Sequence, residues 1–303
     1  MATTFSGLSE AQLDDNVIAE AKAILPFLAA FSTRLDFAGE ALPVKDDTRK
    51  VMLVTDVTIG NKTPGMDTDG SGSVTGVNVT LDQFLSGAFD AIEGTISRRG
   101  MTAYFKKMLP RAANCLARKM VNEALGKVKA ATFTNATTID FSAFDTDTLT
   151  DIRAAAKAHI KDPFAMLLAG TKLAAKISGL APVMYTYGLN GSNIIADNGL
   201  PGKLIGFNAF EYDDLPNNGE QLEGVIIHPS AIAVAASAPD QLIESGQGDV
   251  AYRRIITEPE SGLSLQYTES VMGKGVIHCE LASLFGAATG VAAGAHRIVT
   301  AGA

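Results

Sequence analysis

The sequence predicts an α+β fold, with helices and strands grouped in separate parts of the chain. A run from Met101 to Ala130 carries apolar side chains at helical spacing, and two β-rich runs separated by a polar stretch precede it. The last fifty or so residues contain only short β-rich runs. A compact enzyme rarely places a long hairpin ahead of its main helix, so this order favours a protein with projecting parts.

The chain has few charged residues for its length. Of its 303 residues, 47% are hydrophobic and only 19% are charged, against roughly 25% in an average soluble domain. This deficit fits a protein that buries surface against copies of itself, although an ordinary protein rich in alanine and glycine would show it too. The length allows one large domain or two joined ones.

The charge balance and cysteine content exclude several functional classes. A net charge of -8 argues against tight nucleic-acid binding, which requires clustered lysine and arginine. Cys115 and Cys279 are far apart, so no disulfide framework and no zinc site is indicated. The chain has no secretory signal pattern and no uncharged apolar run of about 18 residues, so the sequence predicts a cytoplasmic protein without a membrane span.

The first half of the chain reads as an arm followed by a hairpin. Residues 10–32 carry apolar side chains at helical spacing, which predicts one or two short helices interrupted near Pro26. The β-rich runs KVMLVTDVTI and SVTGVNVTLDQF then flank the turn-rich stretch GNKTPGMDTDGSG. Together they predict an extended hairpin with a polar tip, which needs another element or subunit to rest on.

The longest predicted helix, from Met101 to Ala130, would span roughly 45 Å. Pro110 should bend it, and Gly126 should weaken its last turn. A further helix is expected to start at a cap formed by Asp147 or Thr148 and to run to Ile160.

The second half alternates short strands and helices. PFAMLLAG reads as a buried strand, and TKLAAKISGL as a short helix closed by Gly179. The segment EGVIIHPSAIAVAA contains apolar strands interrupted by turn residues, and four short β-rich runs follow towards the end of the chain. These runs are YRRIITEP, LSLQYTES, KGVIHCELASLF and HRIVT.

At this point the chain resembles a known family. The segments GLPGKLIGFNAFEYDDLPNNGEQLEGVIIHPSAIAVAASAPDQ and TDTLTDIRAAAKAHIKDPFAMLLAGTKLAAKI are similar to the axial domain of the Hong Kong 97-type capsid fold of tailed bacteriophages. Arm, extended loop, long helix, α/β segment and closing strands follow in that family's order. The resemblance covers essentially the whole chain.

The resemblance implies a division of the chain into five parts. They are an N-terminal arm (1–49), an extended β-hairpin loop (50–84), a peripheral domain with a long spine helix (85–146), an axial domain (147–249) and closing strands of the peripheral domain (250–303).

The resemblance also implies a function. The chain would be a major capsid protein that assembles as pentamers and hexamers into an icosahedral shell around viral double-stranded DNA, without catalysis, metal or cofactor. It would assemble in the bacterial cytoplasm and reside in the virion capsid. Two alternatives stay open: the shell of an encapsulin-type compartment with a protein cargo, and a soluble α/β enzyme, for which the sequence offers no nucleophile elbow.

Two departures from the family prototype bear on partners. No long charged helical leader precedes the arm, so a scaffolding protein, if required, should be a separate chain, as portal and decoration proteins would be. The prototype cross-links a loop lysine to an asparagine of the peripheral domain. Here Lys62 could stand at the loop tip, but no asparagine follows Asn218, so reinforcement is expected to be non-covalent.

The residues expected at subunit interfaces lie in the arm, the loop tip (62–73) and the axial segment 188–198. They are Ile24, Leu28, Lys62, Pro64, Asp67, Asp69, Ser73, Leu189 and Asn193.

Other candidate chemistry has a structural interpretation. The loop Asp67-Thr68-Asp69-Gly70-Ser71-Gly72 begins like a calcium loop but has Asn78 where a bidentate glutamate is required, so a solvated tip is favoured. The segment 199–203 (GLPGK) reads as a turn and not a phosphate loop. The four histidines show no metal-ligand spacing, and Cys115 is expected to be a core residue of the long helix.

Overall fold

The computed structural model describes residues 8–35, 43–53, 75–92, 98–161, 165–180, 203–239, 249–259, 261–272 and 275–300. Within these ranges lie four α-helices: α1 (Glu10–Leu28), α2 (Arg98–Leu125), α3 (Thr146–Lys157) and α4 (Thr171–Ser178). The strands are β1 (Ser32–Arg34), β2 (Thr48–Met52), β3 (Gly76–Thr80), β4 (Gln83–Ile92), β5 (Ala136–Ile139), β6 (Met166–Ala169), β7 (Lys203–Leu204), β8 (Phe207–Glu211), β9 (Leu222–Ile227), β10 (Ile232–Ser237), β11 (Asp249–Thr257), β12 (Ser264–Met272), β13 (Val276–Thr289) and β14 (Ala295–Thr300). The predicted α+β class is confirmed.

The first sheet is built around the long strand β13. Residues 276–285 of β13 pair antiparallel with β4. On the other side, β13 pairs with β12 through residues 276–282 and with β10 through residues 284–289. Strand β11 extends the sheet beyond β12, and β1 extends it beyond β10.

The second sheet has the strand order β5-β14-β9-β6-β8-β7. Strand β6 runs parallel to β8 and antiparallel to β9, and β14 runs parallel to β5. Its side chains alternate between two hydrophobic clusters: Leu167 and Ile226 lie in the cluster that contains α3 and α4, whereas Leu168 and Val225 lie in the cluster that contains α2. This alternation is the period-two pattern of a strand buried on both faces.

Helix α2 is shared by both sheets. Phe105, Leu109, Met120 and Val121 are almost fully buried in the same cluster as residues of β4 and β13 of the first sheet and of β6 and β9 of the second. The helix continues through Pro110. Both sheets therefore pack on α2.

The predicted helix limits differ from the observed ones. Helix α1 is continuous through Pro26 to Leu28 instead of being interrupted there. Helix α2 ends at Leu125 and not near Ala130, because the side-chain amide of Asn218 donates hydrogen bonds to the carbonyl oxygens of Leu125 (2.9 Å) and Val128 (2.6 Å). This cap comes from a residue distant in sequence.

Helix α3 is capped by Asp145 and not by Asp147 or Thr148. The Asp145 carboxylate accepts from the Thr148 backbone N–H (2.8 Å), and Thr148 completes a capping box. The helix ends at Lys157, whereas the short helix α4 ends at Ser178 and is closed by Gly179, as predicted.

Strands from different predicted domains pair within one sheet. Strand β10, within the predicted axial range 147–249, pairs with β13 in the first sheet. Strand β14, within the predicted closing range 250–303, pairs with β5 and β9 in the second sheet. Each sheet therefore contains a strand from a part of the chain that was assigned to the other sheet. The two sheets are joined more closely than a division of the chain into consecutive domains suggests.

Candidate assembly interface

The base of the predicted hairpin is a separate two-stranded sheet, β2 with β3. It packs on the face of the first sheet that points away from α2. Side chains of the hairpin and of strands β10 and β13 share one buried apolar cluster, whose members are Val51, Leu53, Val79, Leu81, Ala233, Ala235 and Leu284. This cluster is called the hairpin cluster below.

The backbones of the hairpin and the first sheet touch at a glycine. A β-carbon added at Gly286 would lie 2.1 Å from the carbonyl oxygen of Thr80, a distance that real β-carbons do not reach. One added at Gly290 would lie 2.2 Å from the carbonyl oxygen of Ser230 and would also contact Leu53. The absence of these side chains allows the hairpin to sit directly on the sheet.

Hydrogen bonds hold the hairpin base at both ends. The Leu81 backbone N–H donates to the Asp47 carbonyl oxygen (2.8 Å), and the Leu53 N–H donates to the Thr75 carbonyl oxygen (2.9 Å). The Arg34 guanidinium, on β1, donates to the Lys50 carbonyl oxygen (3.0 Å). Leu53 and Thr75, the described residues on either side of 54–74, are therefore fixed relative to the subunit core.

The N-terminal helix α1 packs on α2 and on the edge strand β11. Arg254 of β11 donates two hydrogen bonds to the Asp14 carboxylate, at 3.0 and 2.6 Å. This bidentate geometry fixes the helix orientation. At the other end of α1, the Phe27 ring lies 5.2 Å from that of Tyr212.

A polar cluster around Tyr212 joins α2 to the turn after β8. The Tyr212 hydroxyl donates to Asn122 Oδ1 (2.7 Å), the Asn122 amide donates to Asp214 Oδ2 (2.5 Å), and Arg118 forms an ion pair with Asp213. Burial, with the nearby Asp214 carboxylate, raises the pKa of Tyr212. The adjoining cavity is about 190 Å³, too small for a typical small-molecule site.

The structure describes few of the predicted interface residues. Leu28 is only 3% exposed and belongs to the core of its own subunit, which differs from its expected place in a contact between subunits. Ile24 lies within α1, and nothing further is described of it. The others lie outside the described residues: Lys62, Pro64, Asp67, Asp69, Ser73, Leu189 and Asn193. The candidate calcium loop 67–72 lies outside them as well.

Two histidines far apart in sequence meet next to the second sheet, His296 on β14 and His159 in the turn after α3. The His159 and His296 ring centroids are 5.2 Å apart, and His296 Nε2 lies 2.8 Å from the Thr137 hydroxyl. Burial, with a contribution from His159, lowers the pKa of His296 to about 4. Burial also lowers the pKa of His159. Sequence spacing gave no sign of this pair because β14 returns to the sheet from the end of the chain.

Each of the remaining histidines has a hydrogen-bond partner. His228 Nδ1 lies 2.6 Å from the Ser230 hydroxyl in a buried turn, and His278 Nδ1 lies 2.6 Å from the Asp90 carboxylate. Across the described ranges, no three histidine, cysteine or acidic side chains converge closely enough to hold a metal ion.

The two cysteines have opposite environments. The prediction for Cys115 was wrong, because its side chain is exposed on α2 and does not lie in the core. Cys279 is fully buried next to Tyr267, whose hydroxyl donates to Glu269 (2.7 Å). Burial raises the pKa of the Cys279 thiol, so this group is protonated and unsuited to nucleophilic attack.

The described helices include none with the length and apolar character that crossing a lipid bilayer would require.

No protein-family model matches the sequence, and no curated protein matches it. Solved structures do match. A chain from the asymmetric unit of the bacteriophage PhiM1 mature capsid is 11% identical with a TM-score of 0.50, and the match covers 91% of this chain and 87% of that one. A chain from a virus-like particle of Pyrococcus furiosus is 9% identical with a TM-score of 0.51, and the match covers 95% of this chain and 98% of that one. At these identities the likeness shows a shared fold over nearly the full length of both chains.

Proposed function

We propose that this chain, which has the Hong Kong 97-type capsid fold, is the major capsid protein of a tailed bacteriophage. In this proposal it assembles as pentamers and hexamers into an icosahedral shell around double-stranded DNA, and it catalyses no reaction. The observation that carries the proposal is the hairpin base, which the hairpin cluster and the Gly286 contact fix on the face of the first sheet that points away from α2. A rigid base of this kind suits a loop that acts on a neighbouring subunit.

The physical basis of assembly is a contact between unlike surfaces. When one surface of a subunit binds a different surface of the next subunit, the same contact can be repeated from copy to copy. The row of subunits closes into a ring or shell if the angle between neighbouring subunits permits it. An obligate contact of this type buries more than about 2,000 Å². Overlap of residues 54–74 with a neighbour would supply part of that area.

The charge of the subunit is compatible with a wall around DNA. A net charge of -8 disfavours tight binding of phosphates to the wall, so packaged DNA would not be trapped on it. We propose that assembly takes place in the bacterial host cytoplasm and that the product is the virion capsid.

The parts of the chain receive roles under this proposal. Residues 1–49 are the arm, 50–84 the extended loop and 85–146 the peripheral domain with α2 as the spine. Residues 147–249 contribute the axial domain and 250–303 the closing strands. Strand β10 nevertheless pairs in the first sheet, and β14 pairs in the second. Scaffolding, portal and decoration proteins are proposed as separate partners.

The direct test is expression of the full chain, followed by electron microscopy of the purified particles and identification of their content. Closed icosahedral particles with genome-length DNA from an infected host support the proposal. Particles that contain a folded protein cargo and no genome would support a bacterial compartment instead. A monomer at high concentration would contradict both and favour the soluble enzyme.

A further inference from the structure

Helices α3 and α4 lie on the same face of the second sheet. Their buried side chains share one hydrophobic cluster with that face of the sheet, to which the two helices contribute Leu149, Ile152, Ala156, Leu173, Ala174 and Ile177. Helix α2 packs on the opposite face of this sheet, against Leu168 and Val225. The surfaces of α3 and α4 that point away from the sheet therefore belong to one layer.

The exposed side of α3 carries a pair of carboxylates. Asp147 and Asp151 are both exposed and lie four residues apart, a separation of about 6 Å along the helix. Like charges at this spacing repel and destabilise the helix. Asp145 is occupied as the helix cap, but in the part of the chain that the structure describes Asp147 and Asp151 form no ion pair. These two residues are called the acidic pair below.

The exposed side of α4 carries the opposite charge at the same spacing. Lys172 and Lys176 are both exposed, lie four residues apart and form no ion pair with any described residue. These two residues are called the basic pair. Among the described residues, each helix thus exposes a pair of like charges that no ion pair balances.

We infer that the acidic pair of one subunit binds the basic pair of a neighbouring copy of this chain. The two pairs are complementary in sign and matched in spacing, so two ion pairs can form side by side. The contact joins unlike surfaces, as ring and shell closure requires. Each subunit has a net charge of -8, so neighbouring subunits repel each other, and this contact adds a local attraction that offsets the repulsion.

The layer arrangement selects α4 over another basic pair. Lys107 and Arg111, on α2, are also exposed and four residues apart. In a single-layer shell, all copies present the same face outward, so lateral contacts join groups at the same level. Helices α3 and α4 pack on one face of the second sheet and α2 packs on the other, so α3 and α4 share a level in a shell whose wall runs along this sheet. Lys107 and Arg111 therefore provide a matched control.

The inference rests on the proposed shell function, and a charge-swap experiment tests it separately. One variant carries Asp147→Lys and Asp151→Lys, a second carries Lys172→Glu and Lys176→Glu, and a third carries all four changes. The control carries Lys107→Glu and Arg111→Glu. Assembly of the full chain is followed by light scattering at increasing salt and by electron microscopy, and folding of each variant is checked by circular dichroism and thermal unfolding.

Two exposed ion pairs correspond to roughly a fivefold change in the association constant of each contact. We expect each double variant to raise the concentration needed for assembly by at least about that factor. The variant with all four changes should assemble at the wild-type concentration. The control should assemble like the wild type. Because the contact is exposed, the differences should shrink above about 0.5 M salt.

The outcomes separate the inference from the proposed function. If the wild type forms shells and both double variants assemble normally, or if the fourfold variant is not restored although it is folded, the inference is wrong and the shell function stands. If the wild type forms no shells, the proposed function fails. In that case the salt dependence of self-association, compared between wild type and fourfold variant, still tests the contact: equal and salt-independent values would overturn it.

Discussion

Gly286 of β13 and Thr80 of β3 approach so closely that a β-carbon on the glycine would lie 2.1 Å from the threonine carbonyl oxygen. Strands β13 and β3 belong to different sheets. Their contact is therefore the point at which the hairpin is set directly on the subunit core, with the hairpin cluster packed around it.

Replacement of Gly286 by alanine should displace the hairpin. The methyl group cannot fit against backbone atoms, so β2 and β3 must move away from the first sheet, at a cost of about 1–3 kcal/mol in unfolding free energy. Urea unfolding measures this loss, and electron microscopy measures assembly. We expect a folded subunit that forms few closed shells.

Gly179→Ala is the matched control. A β-carbon at Gly179 would lie 3.4 Å from its nearest neighbour, the Ala175 carbonyl oxygen, and the residue has helical backbone angles. Its effect on stability and assembly should be small. Equal behaviour of the two variants would show that the Gly286 contact does not hold the hairpin.

Tyr212→Phe should loosen the junction between α2 and the turn after β8. The variant removes the donor to Asn122 Oδ1 (2.7 Å) and keeps the ring next to Phe27. The expected loss is about 1 kcal/mol in the free energy of unfolding. Tyr104→Phe serves as the comparison, because its hydroxyl donates to the Asp90 carbonyl oxygen at an exposed position, where water can replace it. A larger loss for Tyr104→Phe would contradict this interpretation.

Asp145→Ala should destabilise α3, since it removes the acceptor for the Thr148 backbone N–H. Asp145→Asn keeps an acceptor at the same place and should retain most of the stability. Thermal unfolding of the two variants distinguishes a cap from a general charge effect: if both lose the same amount, the charge and not the hydrogen bond is responsible.

The His296 environment predicts a pH dependence of stability. Its pKa is lowered from 6.5 to about 4, so between these values the unfolded chain binds a proton that the folded chain does not. Stability due to this residue is therefore complete above about pH 6.5 and declines as the pH falls towards 4, by roughly 3 kcal/mol in total. Urea unfolding at pH 7 and pH 4.5 measures the decline.

His296→Gln isolates this contribution from that of the carboxylates. The variant keeps a polar group near the Thr137 hydroxyl and has no proton to gain. We expect the wild type to lose about 2 kcal/mol more than the variant between pH 7 and pH 4.5. Identical pH profiles would mean that His296 is solvated in the folded protein.

Local patterns were sufficient to predict many elements of this fold, but they missed β1, β5 and most of β4. The strands in EGVIIHPSAIAVAA and the closing β-runs appear as β9 to β14 because alternating or continuous apolar residues bounded by turn residues leave few other choices. Helix α4 is closed by Gly179 for the same kind of reason. Their order along the chain was enough to suggest the family fold.

Tertiary contacts decided what the sequence could not. The end of α2 depends on Asn218, more than ninety residues away in sequence. The pairing of β14 with β5 brings His296 next to His159, and the packing of α2 leaves Cys115 exposed. Leu28 had the apolar character of an interface residue, but helical spacing alone does not tell whether an apolar side chain faces the subunit's own core or a neighbour.

The most direct test compares the full chain with a variant that lacks Asn61 to Gly72 by electron microscopy of the purified proteins. The account predicts closed shells for the full chain and, for the variant, a folded subunit with the same circular dichroism that forms no closed shells. Closed shells of normal size from the variant would contradict the role assigned to the hairpin.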